Sequence, residues 1–122
     1  MRAIRLLIVA LAVSLVSPLT AAENSTELLS ADQMLLELDK PNQGELAATI
    51  LHVVSHSLGA ANADLEFAGK APLYCVPNQL ALTVDQNRNI FEVYMSRAPE
   101  MGELPYFMVM LSALQETFPC ER

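Results

Sequence analysis

Cysteine is scarce in this chain, which has only Cys75 and Cys120 among its 122 residues. Two cysteines allow a single pairing, so no alternative connectivity exists. In an oxidising compartment such a pair normally forms a disulfide. A bridge between them would close a loop of 46 residues and stabilise the fold by about 4 kcal/mol. We therefore predict a Cys75–Cys120 disulfide, the alternative being two free thiols.

Long apolar runs are absent after the first 22 residues. Those residues combine Arg2 and Arg5 with the apolar run LLIVALAVSLV and the small residues of SPLTAA, a pattern typical of a cleavable secretory signal. The apolar run is too short for a membrane-spanning helix, which needs about 20 residues. We expect cleavage after Ala22, which leaves residues 23–122 as one soluble domain without membrane attachment, in a bacterial periplasm or another oxidising compartment. The alternative is an uncleaved anchor.

Basic residues are few and scattered, which argues against a nucleic-acid partner because a phosphate-binding surface needs clustered cations. The predicted mature chain keeps fourteen acidic residues against five basic ones, a net charge of −9. Such a surface favours solubility and also docking onto a cationic partner. The five basic residues are Lys40, Lys70, Arg88, Arg97 and Arg122.

The constellations of common catalytic sites are missing as well. The chain has no GxSxG elbow and no glycine-rich phosphate loop. No serine has a candidate general base at a recognisable spacing. The stretch HVVSH has Val53 where a metalloprotease needs a glutamate. We therefore predict that the protein is not an enzyme and uses no cofactor.

Strand-type alternation is also absent, whereas helical periodicity recurs four times. This pattern predicts an all-α fold, a small four- or five-helix bundle stapled by one disulfide. Capping boxes start the first helix at Ser30, with an earlier start at Ser25 left open, and the third at Thr83. The predicted helices cover residues 30–40, 45–61, 83–97 and 104–118, and residues 62–73 form a long loop.

Two helices have apolar faces that periodicity assigns to the core. The second helix is expected to bury Leu46, Ile50, Val53, Val54, Ser57, Leu58 and Ala61. Its opposite face then carries Glu45, Ala48, Thr49, His52, Ser55 and His56. The fourth helix is expected to bury Phe107, Met110, Leu111, Leu114 and Phe118.

His52 and His56 have the i, i+4 spacing by which a helix can offer two imidazoles to one metal ion. The next candidate ligand, Glu45, would lie about 10 Å from His52 along the helix, too far to share the ion. We therefore expect no metal and a polar face directed at solvent or at a partner. A further hypothesis is that the pair senses mild acid, where both rings become charged.

Two more pairs are candidates for partner contacts. Met108 and Val109 are apolar on an otherwise polar face of the fourth helix, so they predict a homodimer interface or a patch that faces a partner protein, unless they are ordinary exposed apolar residues. Asp64 and Glu66 fall in the predicted loop, where binding residues are common. Simple solvated charges are the alternative.

The C-terminal half resembles a known family. It contains LYCVP, a Thr-capped helix, Tyr94, the PE pair of residues 99–100, the LP pair of residues 104–105, and LSALQETFPC. The combination covers residues 73–120 and is similar to the Rap/Tai family of type VI secretion immunity proteins. The resemblance implies a small periplasmic helical protein that binds and blocks a cell-wall amidase toxin.

Other functions are compatible with the same residues. A periplasmic stress protein of the holdase type would expose apolar faces when protonated. A housekeeping periplasmic domain could share the fold without a toxin partner.

Overall fold

Four α-helices make up most of the computed structural model, which describes residues 28–121. They are α1 (Ala31–Leu38), α2 (Gly44–Phe67), α3 (Val84–Arg97) and α4 (Tyr106–Thr117), with a 3₁₀ turn at Pro99–Met101. Helix α2 packs against the other three helices, and α4 also contacts α1 and α3. The predicted all-α bundle is confirmed, whereas the signal peptide predicted at residues 1–22 and the alternative start at Ser25 lie outside the described residues.

The two predicted capping boxes are both present. The Ser30 hydroxyl accepts from the Gln33 N–H at 3.2 Å, and the Gln33 side chain accepts from the Ser30 N–H at 2.8 Å. Thr83 and Gln86 make the same pair of bonds at the start of α3. Each box satisfies two backbone N–H groups that the helix itself cannot pair, so α1 and α3 begin where the sequence predicts.

Helix α2 is longer than predicted, because it ends at Phe67 and not near Ala61. Its end is a Schellman motif: the Gly69 N–H donates to the Glu66 carbonyl and the Lys70 N–H to the Leu65 carbonyl. Gly69 has φ +69°, a left-handed conformation that glycine adopts without strain. The predicted loop at 62–73 is therefore half helix, and Asp64 and Glu66 belong to the last turns of α2.

The predicted buried face of α2 is wrong for most of its residues, and only Val54 and Leu58 pack against the core. Leu46 is 64% exposed and Val53 is also exposed. The residues that α2 buries are Gly44, Ala47, Ala48, Leu51, Ser55 and Asn62. Small residues bring the backbones close, since a Cβ on Gly44 would collide with the Leu38 carbonyl at the end of α1. Close helix approach therefore decides which face is buried.

Helix α4 buries a wider surface than one stripe, because three helices surround it. Val109 is 0% exposed and belongs to the core, so the prediction that it lies on the outer face is wrong. Phe107, predicted to be buried, is partly exposed, and Met108 is exposed as predicted. The fully enclosed residues of α4 are Val109, Met110, Ala113 and Leu114.

The predicted Cys75–Cys120 disulfide is present. It joins the segment before α3 to the segment after α4, and the Cys75 N–H donates to the Phe118 carbonyl at 2.8 Å beside it. The last helix is thereby tied to the loop that follows α2. Among residues 28–121, no helix combines the length and apolar character needed to cross a membrane.

Candidate partner-binding groove

An open groove of about 530 Å³ runs between the second half of α2 and the segment of residues 74–82. We call it the α2 groove. Helix α2 supplies one wall, from Ser55 and His56 at one end to Glu66 at the other. The irregular segment supplies the other wall with Tyr74, Val76, Asn78, Leu80, Ala81 and Leu82.

The side chain of Asn62 holds the irregular wall against α2. Its Nδ2 donates to the Tyr74 carbonyl at 2.6 Å, and its Oδ1 accepts from the Leu73 N–H at 2.5 Å. One buried amide thus satisfies two backbone groups of a segment that has no helix or sheet partner of its own. Without this amide, both groups would have to find water.

Helix α4 and the disulfide hold the same wall from behind. The Gln115 Nε2 donates to the Leu73 carbonyl at 3.3 Å, and Cys75 is bonded to Cys120. Helix α2 in front and the C-terminal segment behind therefore both restrain the irregular segment. The α2 groove is consequently preformed in the free protein.

Tyr74 is the most enclosed residue of the irregular wall, with 3% of its surface exposed. Burial raises the pKa of its phenol above 10.0 because the charged form would lose its hydration. The phenol therefore remains neutral at physiological pH. Its hydroxyl faces Gly59, 3.7 Å from the point where a Cβ on that residue would stand, and among residues 28–121 no hydrogen bond engages it.

Glu66 is the only acidic residue among those that line the α2 groove, and no Lys or Arg accompanies it there. It lies in the last turn of α2 together with Leu65 and Phe67, and that turn contains no basic residue. The C-terminal end of a helix carries partial negative charge, so a carboxylate there is unfavourable unless a cation is near. Three ion pairs join described residues, and none includes Glu66. This end of the groove therefore presents a carboxylate that has no ion-pair partner among the described residues.

Two of the residues singled out from sequence, His56 and Glu66, line the α2 groove, whereas Asp64 is exposed beside it and is not part of its lining. Met108 is 49% exposed on α4 and lies outside the groove, and Val109 is buried in the core. The histidine lies near one end of the groove and the acid at the other, so the two do not contact each other. Their part in partner binding stays a prediction.

His52 is half-buried at the contact between α2 and α3. Its Nδ1 lies 2.9 Å from the Asn87 Nδ2, and that same amide nitrogen donates to the Thr83 carbonyl. The hydrogen bond to His52 requires a ring that is unprotonated at Nδ1. The His52 and His56 rings meet edge to face with centroids 4.3 Å apart, so one member of the pair joins two helices and the other lines the groove.

The role of Asn87 was missed by sequence reasoning. Its side chain is fully buried, and its Oδ1 has no hydrogen-bond partner among the described residues. No group of three or more His, Cys, Asp or Glu residues between 28 and 121 is placed to hold a metal ion. The hypothesis that the histidine pair senses acid stays a prediction.

The α2 groove combines apolar side chains, hydrogen-bonding groups and one negative end. Such a surface suits non-covalent recognition of a protein segment. Asn62 and Tyr74 were missed because their roles depend on a chain that returns to α2 more than ten residues later. The prolines flanking LYCV were the available sequence signal, since they favour an extended segment. The chain matches no family model, no curated protein and no solved structure.

Proposed function

We propose that this protein is exported to the periplasm and acts there as an immunity protein. It binds a cell-wall amidase toxin of a type VI secretion system in a stoichiometric complex and keeps peptidoglycan out of the toxin's active cleft. It acts by binding and not by catalysis. The observation that carries the proposal is the preformed, negatively charged α2 groove, which is fixed by a disulfide that requires an oxidising compartment to persist.

The residues behind the family resemblance are also those that build the groove wall. Tyr74, Cys75 and Val76 of the LYCVP stretch line the groove. Phe118 and Cys120 of the FPC stretch anchor that wall through one backbone hydrogen bond and the disulfide. The resemblance therefore concerns the part of the surface that is shaped for binding.

Calorimetric titration of residues 23–122 against the purified product of the adjacent gene tests the proposal. We expect saturable binding near one to one, loss of peptidoglycan cleavage in the same mixture, and weaker binding as salt rises because the groove is acidic. No heat and undiminished cleavage would refute the immunity role. The N-terminal residue of the protein recovered from the periplasm tests cleavage after Ala22.

A holdase-type stress protein is the second candidate, and one observation favours it. Leu46, Ile50 and Val53 form an exposed apolar stripe on the outer face of α2. A holdase would bind a hydrophobic dye at this stripe in acid and suppress the aggregation of unfolded clients. Replacing Ile50 by Asp should then abolish suppression and leave toxin binding intact.

A further inference from the structure

We propose that the α2 groove accepts an extended segment of the partner in which a Lys or Arg follows an apolar side chain by about four residues. The inference rests on the proposed function and adds which surface binds and what chemistry it recognises. The cation would lie at Glu66 and the apolar side chain between His56 and Leu82. The partner's chain thus enters the groove of this protein.

The length of the groove sets the length of the segment. His56 and Glu66 are ten residues apart on α2, which at 1.5 Å per residue is about 15 Å. An extended chain advances about 3.3 Å per residue, so four to five residues span the groove. A volume of about 530 Å³ accommodates side chains of that number.

The negative charge at the Glu66 end of the groove determines which side chain of the segment can bind there. Glu66 has no ion-pair partner among residues 28–121. The C-terminal end of α2 adds partial negative charge beside this carboxylate. An incoming guanidinium or ammonium would be attracted to Glu66 and to the helix end, whereas an acidic segment would be repelled. A second copy of this chain fits poorly, because three of the four described basic residues already form ion pairs.

The end of the groove near His56 and Leu82 is apolar and therefore favours an apolar side chain of the segment. Val76 and Leu82 are only partly covered, and Leu80 is 40% exposed at the rim. Ala60 on the α2 wall is small and exposed and leaves room for an incoming side chain. The Tyr74 hydroxyl and the Asn78 side chain remain as hydrogen-bonding groups for the backbone of the segment.

Two matched pairs of variants test the inference against the toxin. Glu66→Gln removes the charge inside the groove, and Asp64→Asn removes one from an exposed residue that is not part of the lining. Ala60→Trp fills the groove, and Ala61→Trp places the same side chain on the neighbouring exposed residue outside the lining. The chain has no natural tryptophan, so a blue-shifted emission of Ala60→Trp relative to Ala61→Trp confirms that the ring occupies the groove.

We expect Glu66→Gln and Ala60→Trp to weaken toxin binding at least tenfold, and their two controls to change it less than threefold. Circular dichroism of each variant separates lost binding from lost folding, and Glu66→Gln keeps the test valid where Ala60→Trp does not fold. Wild-type affinity in both groove variants would overturn the inference and leave the immunity role to another surface.

The peptide Leu-Ala-Ala-Ala-Arg and its Glu-ended counterpart, both blocked at their termini, test the groove independently of the toxin. In nuclear magnetic resonance titrations, only the Arg peptide should shift the amide signals of Ala60, Ala63 and Leu82, and Glu66→Gln should reduce those shifts. Equal responses to both peptides, or none to either, would overturn the inference even where the toxin binds. If the toxin does not bind but the Arg peptide shifts those signals, the immunity role is refuted. The groove then remains a binding site for a segment with an apolar and a cationic side chain.

Discussion

The replacement Asn62→Ala should loosen the irregular wall of the α2 groove, because it removes two hydrogen bonds with one side chain. The amide serves two backbone groups at once, the Tyr74 carbonyl and the Leu73 N–H. Tyr74 is buried, so its carbonyl would lose its partner without gaining full access to water. Leu73 is exposed, and its N–H would recover a water molecule.

The expected loss in free energy of unfolding is the sum of what the Tyr74 carbonyl and the Leu73 N–H each lose. A buried carbonyl left unpaired costs about 1–3 kcal/mol, and a hydrogen bond exchanged for water costs about 0.5–1.5 kcal/mol. Alanine is the better helix former by up to about 0.7 kcal/mol, which offsets part of the loss. We therefore expect Asn62→Ala to lower the free energy of unfolding by about 2 kcal/mol.

Urea unfolding of residues 23–122 with the disulfide intact, followed by far-ultraviolet circular dichroism, measures this loss. At about 1–2 kcal/mol per molar for a chain of this size, the midpoint should fall by about 1 M or more. Asn78→Ala removes an exposed groove amide and is the matched control, with an expected change within about 0.5 kcal/mol. Asn62→Asp keeps the acceptor but sets a carboxylate against the Tyr74 carbonyl, so it should be at least as harmful as Asn62→Ala. Equal stability of Asn62→Ala and wild type would refute the anchoring role.

Three further predictions concern the core, the disulfide and the buried phenol. Replacing Cys75 and Cys120 together by Ser should lower the free energy of unfolding by about 4 kcal/mol, and a loss below about 1 kcal/mol in urea unfolding would contradict the loop-closure argument. Val109→Asp places a charge in a fully buried position and should cost more than about 4 kcal/mol. The control, Met108→Asp, should keep the melting temperature within a few degrees, and an equal loss in both would contradict the assignment of Val109 to the core. Tyr74 keeps its proton to higher pH in the folded chain than in the unfolded chain. The free energy of unfolding therefore keeps its full value below about pH 10 and falls as pH rises through the raised pKa of Tyr74. Tyr74→Phe should remove that alkaline loss in pH-dependent unfolding, and an unchanged slope would contradict it.

Helix starts could be predicted from sequence because capping is a local interaction. Ser30 and Gln33, or Thr83 and Gln86, satisfy each other's backbone groups within one turn, so no distant residue is needed. The disulfide could be predicted for a different reason, since two cysteines leave only one pairing. These features do not depend on how the helices pack.

The buried face of α2 could not be predicted because most of its middle is either apolar or small. Periodicity favours the face with the largest apolar side chains, such as Leu46 and Val53, yet those residues are exposed. Helix α2 has three helical neighbours, and small residues permit the closest approach. Ala47 and Ala48 therefore enter the core because of what packs on them, which only the assembled fold determines.

The disulfide and the Asn62 amide restrain the same backbone segment, which forms one wall of the α2 groove. The bridge could be predicted from two cysteines alone, whereas the groove also depends on the Asn62 contact. Cys75 directly follows Tyr74, whose carbonyl is bound by Asn62, so the bridge and the amide restrain adjacent residues from opposite sides. Removing either restraint frees the same backbone segment. Binding measured on the Asn62→Ala and cysteine variants should therefore weaken together with stability, whereas Glu66→Gln should weaken binding alone. A cysteine variant that binds the Arg peptide as wild type does would show that the groove forms without the bridge.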